Sequence, residues 1–123
     1  MQVLELDHLQ IAIPVGGEAL AREFYADILG MPELPKPVLM QLRGGAWFAC
    51  GDRQIHLGAE VNFQPAKKAH PAFIVRDLDA LCALLRASGY AVLKNEELPE
   101  VRRVFTEDPF GNRIELIQSK YVA

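Results

Sequence analysis

The sequence predicts an α+β fold made of two βαβββ modules in tandem. The first observation is a repeated order of elements, because a strand, an amphipathic helix and three further strands follow one another twice along 123 residues. The second is local likeness between the halves: residues 8–13 align with 70–75, and residues 54–57 align with 113–116. The third is that these four apolar strands each carry one side chain of a type that binds metals, namely His8, His56, His70 and Glu115.

Length and composition favour one domain over residues 1–123, with modules at about 1–62 and 68–120. The net charge of -3 is spread without basic runs, which argues against a nucleic-acid or membrane partner and favours a small molecule. No basic and apolar leader opens the chain and no apolar run approaches about 20 residues, so we expect a soluble, cytoplasmic protein. Cys50 and Cys82 form no CxxC pair, which predicts free thiols.

Module 1 is predicted to begin with a strand at 4–13 and a helix at 18–29. Apolar residues recur at helical spacing in the second segment, and Gly30 follows as a stop signal. A proline-rich link at 32–37 then leads to three short strand-like runs separated by glycine-containing turns. These runs are 38–42, 46–50 and 54–58.

Module 2 is predicted to repeat this order from residue 70. A strand at 70–75 precedes Asp77, a suitable N-cap, and the following amphipathic helix ends at Gly89. The last two strands are joined by residues 108–112, whose Asp, Pro, Gly and Asn residues favour a turn. The three strands after the helix are predicted at 90–94, 102–107 and 113–118.

Strand geometry predicts which faces carry the polar side chains. Side chains alternate along a strand, so His8 and Gln10 lie opposite the apolar side chains of Leu9, Ile11 and Ile13. One helix covers only one face of a four-stranded sheet, which leaves the other face to line a cavity. We therefore expect the two sheets to form a cup around a metal site.

Three motifs carry a family resemblance. They are DHLQIAI at 7–13, FYADILGM at 24–31 and DPFGNRIEL at 108–116. Over about residues 4–118 the chain resembles the vicinal oxygen chelate superfamily, which includes glyoxalases, bleomycin resistance proteins and dioxygenases. The resemblance implies two modules around one divalent metal that chelates adjacent substrate oxygens. It also implies a homodimer, and it leaves open whether each site lies within one chain or combines modules of two.

The resemblance also implies the metal ligands, position by position. His8, His70 and Glu115 match the three positions that most metal-using members share. His56 falls where glyoxalase I-like enzymes have glutamate and epimerases have glutamine, which is a departure. If His56 binds, the metal has four protein ligands; if it does not, His56 is a candidate general base and the other three leave open positions. Glu115 and His56 are thus the candidate catalytic residues.

The donor set of imidazoles and a carboxylate suits Zn, Fe, Ni, Co or Mn rather than Ca or Mg. Such an ion polarises a substrate oxygen as a Lewis acid. Of two consecutive arginines on one strand, we favour Arg103 over Arg102 as the one that reaches the cavity and holds a substrate carboxylate. The candidate substrate-binding residues are Gln10, Trp47, Arg103 and Phe105.

The predicted function is that of a metal-dependent, glyoxalase-like lyase or isomerase. It would act on a small oxygen-rich substrate by isomerisation, addition or proton transfer at a metal-chelated oxygen. Two alternatives stay open at this point: an extradiol-type dioxygenase with iron, and a metal-free protein that binds a drug or metabolite.

Overall fold

The computed structural model describes residues 2–121 and divides into two compact units, one ending at Gln64 and one beginning at Pro65. Each unit contains one four-stranded sheet, with a helix between its first and second strands. The order of strands and of the main helix is the same in both units, and unit 1 has one additional short helix between its second and third strands. The predicted α+β class and the tandem βαβββ modules are therefore confirmed.

Unit 1 is built around a mixed sheet with the spatial order β1-β4-β3-β2, in which β1 runs parallel to β4 and the other pairs are antiparallel. Its elements are β1 (His8–Pro14), α1 (Glu18–Arg22) with a π-helical continuation (Glu23–Ile28), β2 (Glu33–Leu34), α2 (Val38–Gln41), β3 (Ala46–Cys50) and β4 (Arg53–Glu60).

The predicted strand at 38–42 is wrong, since this segment forms the short helix α2 and a turn. The second strand is instead β2, which pairs with β3 through Leu34 opposite Trp47. Val38 is 78% exposed and Leu39 is 91% exposed, so this apolar run has no layer to pack against. A short apolar run does not by itself distinguish strand from helix, and that ambiguity caused the error.

The helical segment of unit 1 packs on one face of the sheet. Phe24 and Tyr25 are fully buried, and the Tyr25 ring lies 6.0 Å from the ring of Phe48 on β3. The wider π-type turn, in which the Leu29 amide donates to the Phe24 carbonyl, allows these two consecutive aromatic residues to point inwards. The buried sheet residues on this face include Ile11, Ile13, Ile55 and Leu57.

Unit 2 has the equivalent sheet order β5-β8-β7-β6, again with its first and last strands parallel. Asp77 caps its helix by accepting a hydrogen bond from the Ala80 amide (3.1 Å), as predicted, and Gly89 follows the helix with a φ of +91°. The predicted strand at 90–94 is shorter and begins later. The elements are β5 (Ala72–Val75), α3 (Leu78–Ala87), β6 (Leu93–Asn95), β7 (Arg103–Glu107) and β8 (Arg113–Gln118).

The helix α3 covers one face of the second sheet. Leu78, Cys82 and Leu85 are buried at helical spacing, and they share the interior with Phe73, Val104, Ile114 and Leu116. The neighbouring position on β8, Glu115, belongs to the opposite face because side chains alternate along a strand. Each unit therefore has an apolar face against a helix and a second face that carries polar side chains.

Cys50 and Cys82 are free, as predicted, and burial raises the pKa of both thiols. No helix within residues 2–121 combines the length and hydrophobicity that a transmembrane span requires.

Candidate functional site

In unit 1, three strands bring polar and aromatic side chains to the face that the helix leaves uncovered. The parallel register of β1 and β4 places Gln10 opposite His56 and His8 opposite Gln54. The antiparallel register of β3 and β4 places Trp47 opposite His56. His56 is thus the centre of this cluster.

The ring of His56 is held between two other rings. The Trp47 indole stacks on one side at 3.9 Å with an interplanar angle of 2°, and His8 stacks on the other at 4.2 Å and 19°. His56 Nε2 lies 2.8 Å from Gln54 Oε1. Burial, followed by the nearby His8, lowers the pKa of His56 and favours the neutral imidazole.

Asp7 orients the other histidine of this unit. His8 Nδ1 donates to Asp7 Oδ2 at 2.9 Å, and this hydrogen bond lowers the pKa of Asp7. A histidine whose Nδ1–H is held by a carboxylate presents Nε2 as a lone-pair donor, which is the usual arrangement of metal-binding histidines. This arrangement leaves the lone pair of His8 Nε2 available to a cation or a proton donor.

These residues line an open cavity of about 510 Å³ in unit 1. Gln10 forms part of its floor, and its amide lies so close over Gly58 that a Cβ added there would be 2.8 Å from Gln10 Nε2. The segment around α2 contributes the side chains of Lys36, Met40 and Arg43. The cavity thus combines imidazole, amide and aromatic groups with two cations.

In unit 2, His70 and Glu115 form a close pair. His70 Nε2 lies 2.9 Å from Glu115 Oε1, while its Nδ1 lies 2.8 Å from the Lys68 carbonyl oxygen. Both ring nitrogens therefore face oxygen acceptors. A neutral imidazole carries one N–H, so it can donate to only one of these two oxygens; a cation held between Nε2 and Glu115 Oε1 would satisfy the other contact.

Arg103 holds the second oxygen of the same carboxylate. Its Nη1 lies 3.2 Å from Glu115 Oε2 and its Nη2 lies 2.9 Å from Asn95 Oδ1. Its Nε is buried without a hydrogen-bond partner in the described structure. Arg102, which immediately precedes β7, instead pairs with the exposed Asp79 of α3. The two arginine side chains therefore point to opposite faces of the sheet, as strand alternation predicts.

Phe105 provides the aromatic neighbour of this pair. It lies directly opposite Glu115 in the β7–β8 register, and its ring meets His70 edge-on at 5.4 Å. The guanidinium of Arg113 covers the ring at 4.0 Å. Phe105 therefore occupies in unit 2 the position that Trp47 occupies in unit 1, across from the polar residue of the last strand.

Each unit brings together two of the four predicted metal ligands, His8 with His56 and His70 with Glu115. A cluster of three or more histidine, cysteine, aspartate or glutamate side chains able to hold a metal ion does not occur within residues 2–121.

The sequence analysis did not identify Asp7 and Gln54 as partners of the histidines, although the positions of both residues indicated it. Asp7 adjoins His8, and Gln54 shares the face of His56 two residues away. It also missed the cations at the cavity, which depend on where the loop around α2 lies.

Comparison with known proteins points in one direction. The family model described as Glyoxalase/Bleomycin resistance protein/Dioxygenase superfamily matches residues 5–116. A solved structure from Bacillus anthracis, described as a glyoxalase family protein, is 47% identical over 98% of both chains, with a TM-score of 0.92. No curated protein matches the chain.

Two more distant structures share the fold. Lactoylglutathione lyase from Agrobacterium tumefaciens is 18% identical, with a TM-score of 0.73 over 98% of this chain and 97% of that one. A mutant of the fosfomycin resistance protein FosX from Listeria monocytogenes, complexed with Mn(II) and 1S,2S-dihydroxypropylphosphonic acid, is 16% identical, with a TM-score of 0.79 over 98% and 95% of the chains.

Proposed function

Because the chain belongs to the glyoxalase/bleomycin resistance protein/dioxygenase superfamily, we propose that it is a divalent-metal-dependent enzyme of the glyoxalase-like kind. Its substrate is a small oxygen-rich molecule, and the reaction is an isomerisation, addition or proton transfer at a metal-chelated oxygen. The metal is one of Zn, Fe, Ni, Co or Mn. The proposed ligands are His8, His56, His70 and Glu115.

The observation that carries this proposal is the pairing of His70 with Glu115. The Nε2 atom and the carboxylate oxygen approach to 2.9 Å, while Nδ1 already faces a carbonyl oxygen. This arrangement fits a divalent ion, which would take the place of the proton between the two donors. Nitrogen and carboxylate donors of this kind suit a first-row transition metal.

The geometry of unit 1 supports the same conclusion. Asp7 fixes His8 in the tautomer that leaves Nε2 available, and the carboxylate–histidine arrangement raises the basicity of the ligand. His56 lies against His8, so two imidazoles are presented together. One pair from each module would complete a four-ligand centre, whether the modules belong to one chain or to two.

The bound ion would supply Lewis-acid polarisation of a substrate oxygen. The protein's own residues would shape the site around it. Trp47 and Phe105 provide aromatic walls beside the ligand pairs, Gln10 offers an amide to a substrate oxygen, and Arg103 offers a cation next to Glu115. Glu115 and His56 are the proposed catalytic groups, since each would lie beside the bound ion and can take up a proton.

A divalent metal occurs on this fold in another protein, since the structure of the FosX mutant is complexed with Mn(II). The homodimer and the cytoplasmic location expected from the sequence stay predictions.

Metal content tests the proposal. Purified wild-type protein and the single variants His8→Ala, His70→Ala and Glu115→Gln would be dialysed against each candidate metal and measured by plasma mass spectrometry. We expect stoichiometric uptake by the wild type and loss of tight binding in each variant. A wild-type protein that takes up none of the five metals would refute the proposal and favour the drug- or metabolite-binding alternative.

His56 needs a separate comparison. Reduced metal content in His56→Ala would assign it as a fourth ligand. Unchanged metal content with lost turnover would assign it as a base instead. Oxygen uptake with catechols by the iron-loaded protein would identify the dioxygenase alternative.

A further inference from the structure

The cavity of unit 1 contains two cationic side chains that the proposed chemistry does not use. We infer that Lys36 and Arg43 bind an anionic oxyacid group of the substrate, a carboxylate or a phosphate, next to the histidine pair. This inference rests on the proposed function, because it names the class of substrate that the same site accepts. The substrate would then have an anionic group bound by the two cations, in addition to the oxygen atoms that a metal would chelate.

The loop that carries α2 presents both cations, and hydrogen bonds fix the loop and the Lys36 side chain. Lys36 Nζ donates to the carbonyl oxygen of Gly44, which ties the two ends of this loop together. The amide of Gly45 donates to Glu18 Oε2 at 3.1 Å, which anchors the end of the loop to α1. Gln41 Nε2 also donates to the Lys36 carbonyl at 3.3 Å. The loop that presents these side chains is therefore held by hydrogen bonds within itself and to α1.

Cations outnumber carboxylates in the lining of this cavity, although the Glu18 carboxylate at the edge of the loop lies within electrostatic range of Lys36. Its lining contains one carboxylate, Asp7, and His8 already engages that group. Arg43 is exposed and has no carboxylate partner within residues 2–121, whereas Arg22 and Arg53 of the same unit pair with Glu33 and Glu5. An arginine beside a lysine in a concave, partly apolar site attracts anions, because such walls concentrate the field of the cations.

Lys36 and Arg43 line the same cavity as His8, His56 and Trp47. A substrate anion bound by the two cations would therefore lie in the cavity whose wall includes the stack of His56 on Trp47. A guanidinium can also bind a carboxylate or phosphate through two parallel hydrogen bonds, which would orient the rest of the substrate.

Trp47 allows binding to be measured directly, because it is the only tryptophan in the chain and it lines this cavity. Metal-free protein would be titrated with inorganic phosphate and, separately, with malonate at constant ionic strength, and the indole fluorescence would be followed. Malonamide serves as the uncharged control. We expect a saturable change with at least one anion and none with malonamide. The anion that binds more tightly distinguishes a phosphate from a carboxylate group.

Variants locate the binding. Arg43→Gln should raise the apparent Kd at least about tenfold, as expected for loss of a charge-assisted hydrogen bond. Lys36→Gln should raise it as well, and circular dichroism would verify that the fold is intact. Arg22→Gln removes an exposed arginine of the same unit outside the cavity and should titrate like the wild type. The inference is overturned if neither anion gives a saturable response, or if Arg43→Gln and Arg22→Gln titrate alike.

Metal uptake by the same preparations separates this inference from the proposed function. Anion binding without metal uptake would support the cation pair while refuting the metal-dependent enzyme. Metal uptake without anion binding would refute the cation pair and leave the enzyme proposal standing.

Discussion

Replacing Arg103 by leucine should destabilise the metal-free protein, because it removes the cation that faces Glu115. The side chains of Arg103 and Glu115 are 16% and 8% exposed, so this ion pair is largely shielded from water. Removing one partner of a buried pair costs about 3–5 kcal/mol. His70 stays in contact with the other carboxylate oxygen, so we expect a loss of free energy of unfolding at or just below the lower end of that range, about 2–3 kcal/mol.

Arg102→Leu is the matched control. It removes the adjacent arginine, whose pair with Asp79 is 59% and 80% exposed, and such surface pairs contribute less than about 1 kcal/mol. Urea denaturation of both variants in the presence of EDTA measures the difference, and thermal unfolding should show a drop of roughly 4 °C per kcal/mol. A difference between the two variants of less than about 1 kcal/mol would refute the view that Arg103 neutralises a buried Glu115.

The remaining predictions concern three other positions. Asp7→Asn should weaken metal binding about 10- to 100-fold in competition with a chromophoric chelator, since Asp7 orients His8; equal affinities would contradict that role. Gly45→Ala should lower the urea midpoint far more than Gly51→Ala, because both have positive φ but a Cβ at Gly45 would lie 1.9 Å from a backbone carbonyl oxygen of β4, whereas Gly51 has open space; similar midpoints would contradict the clash. The pKa of His56 is lowered from 6.5 in the folded protein, so as the pH falls the unfolded chain takes up this proton before the folded protein does. The contribution of the neutral His56 to stability is therefore fully present above pH 6.5 and is lost as the pH falls through the pKa of the folded state. The urea midpoint should therefore fall less between pH 7.5 and 5 in His56→Gln than in the wild type. An equal fall in both proteins would contradict the role of His56 in this pH dependence.

The module repeat was predictable because hydrophobic periodicity and side-chain alternation depend on local sequence. The strand containing Glu115 was predicted with the bounds that the structure gives, and the alternation that separates Arg102 from Arg103 followed from the same rule. The pairing of one first-strand histidine with one last-strand residue in each module was also predictable from the sequence, since His56 and Glu115 occupy matching positions of the repeat.

The segment around α2 was not predictable in the same way. Its apolar residues suggested a strand, but tertiary context left Val38 and Leu39 exposed on a helix. Whether Lys36 and Arg43 reach the cavity depends on the path of that loop and on the Glu18 contact that anchors it. Such contacts join residues far apart in sequence, and no local pattern encodes them.

The matched registers of the two sheets have a consequence for how this scaffold can evolve. Gln10 faces His56 across β1 and β4, and Ala72 faces Glu115 across β5 and β8, through hydrogen bonds made by the backbone alone. The pairing of the strands therefore does not depend on which polar side chain occupies this position in the last strand of either module. The same register presents a stacked imidazole in unit 1 and an ion-paired carboxylate in unit 2, so one backbone frame supports two different kinds of polar group.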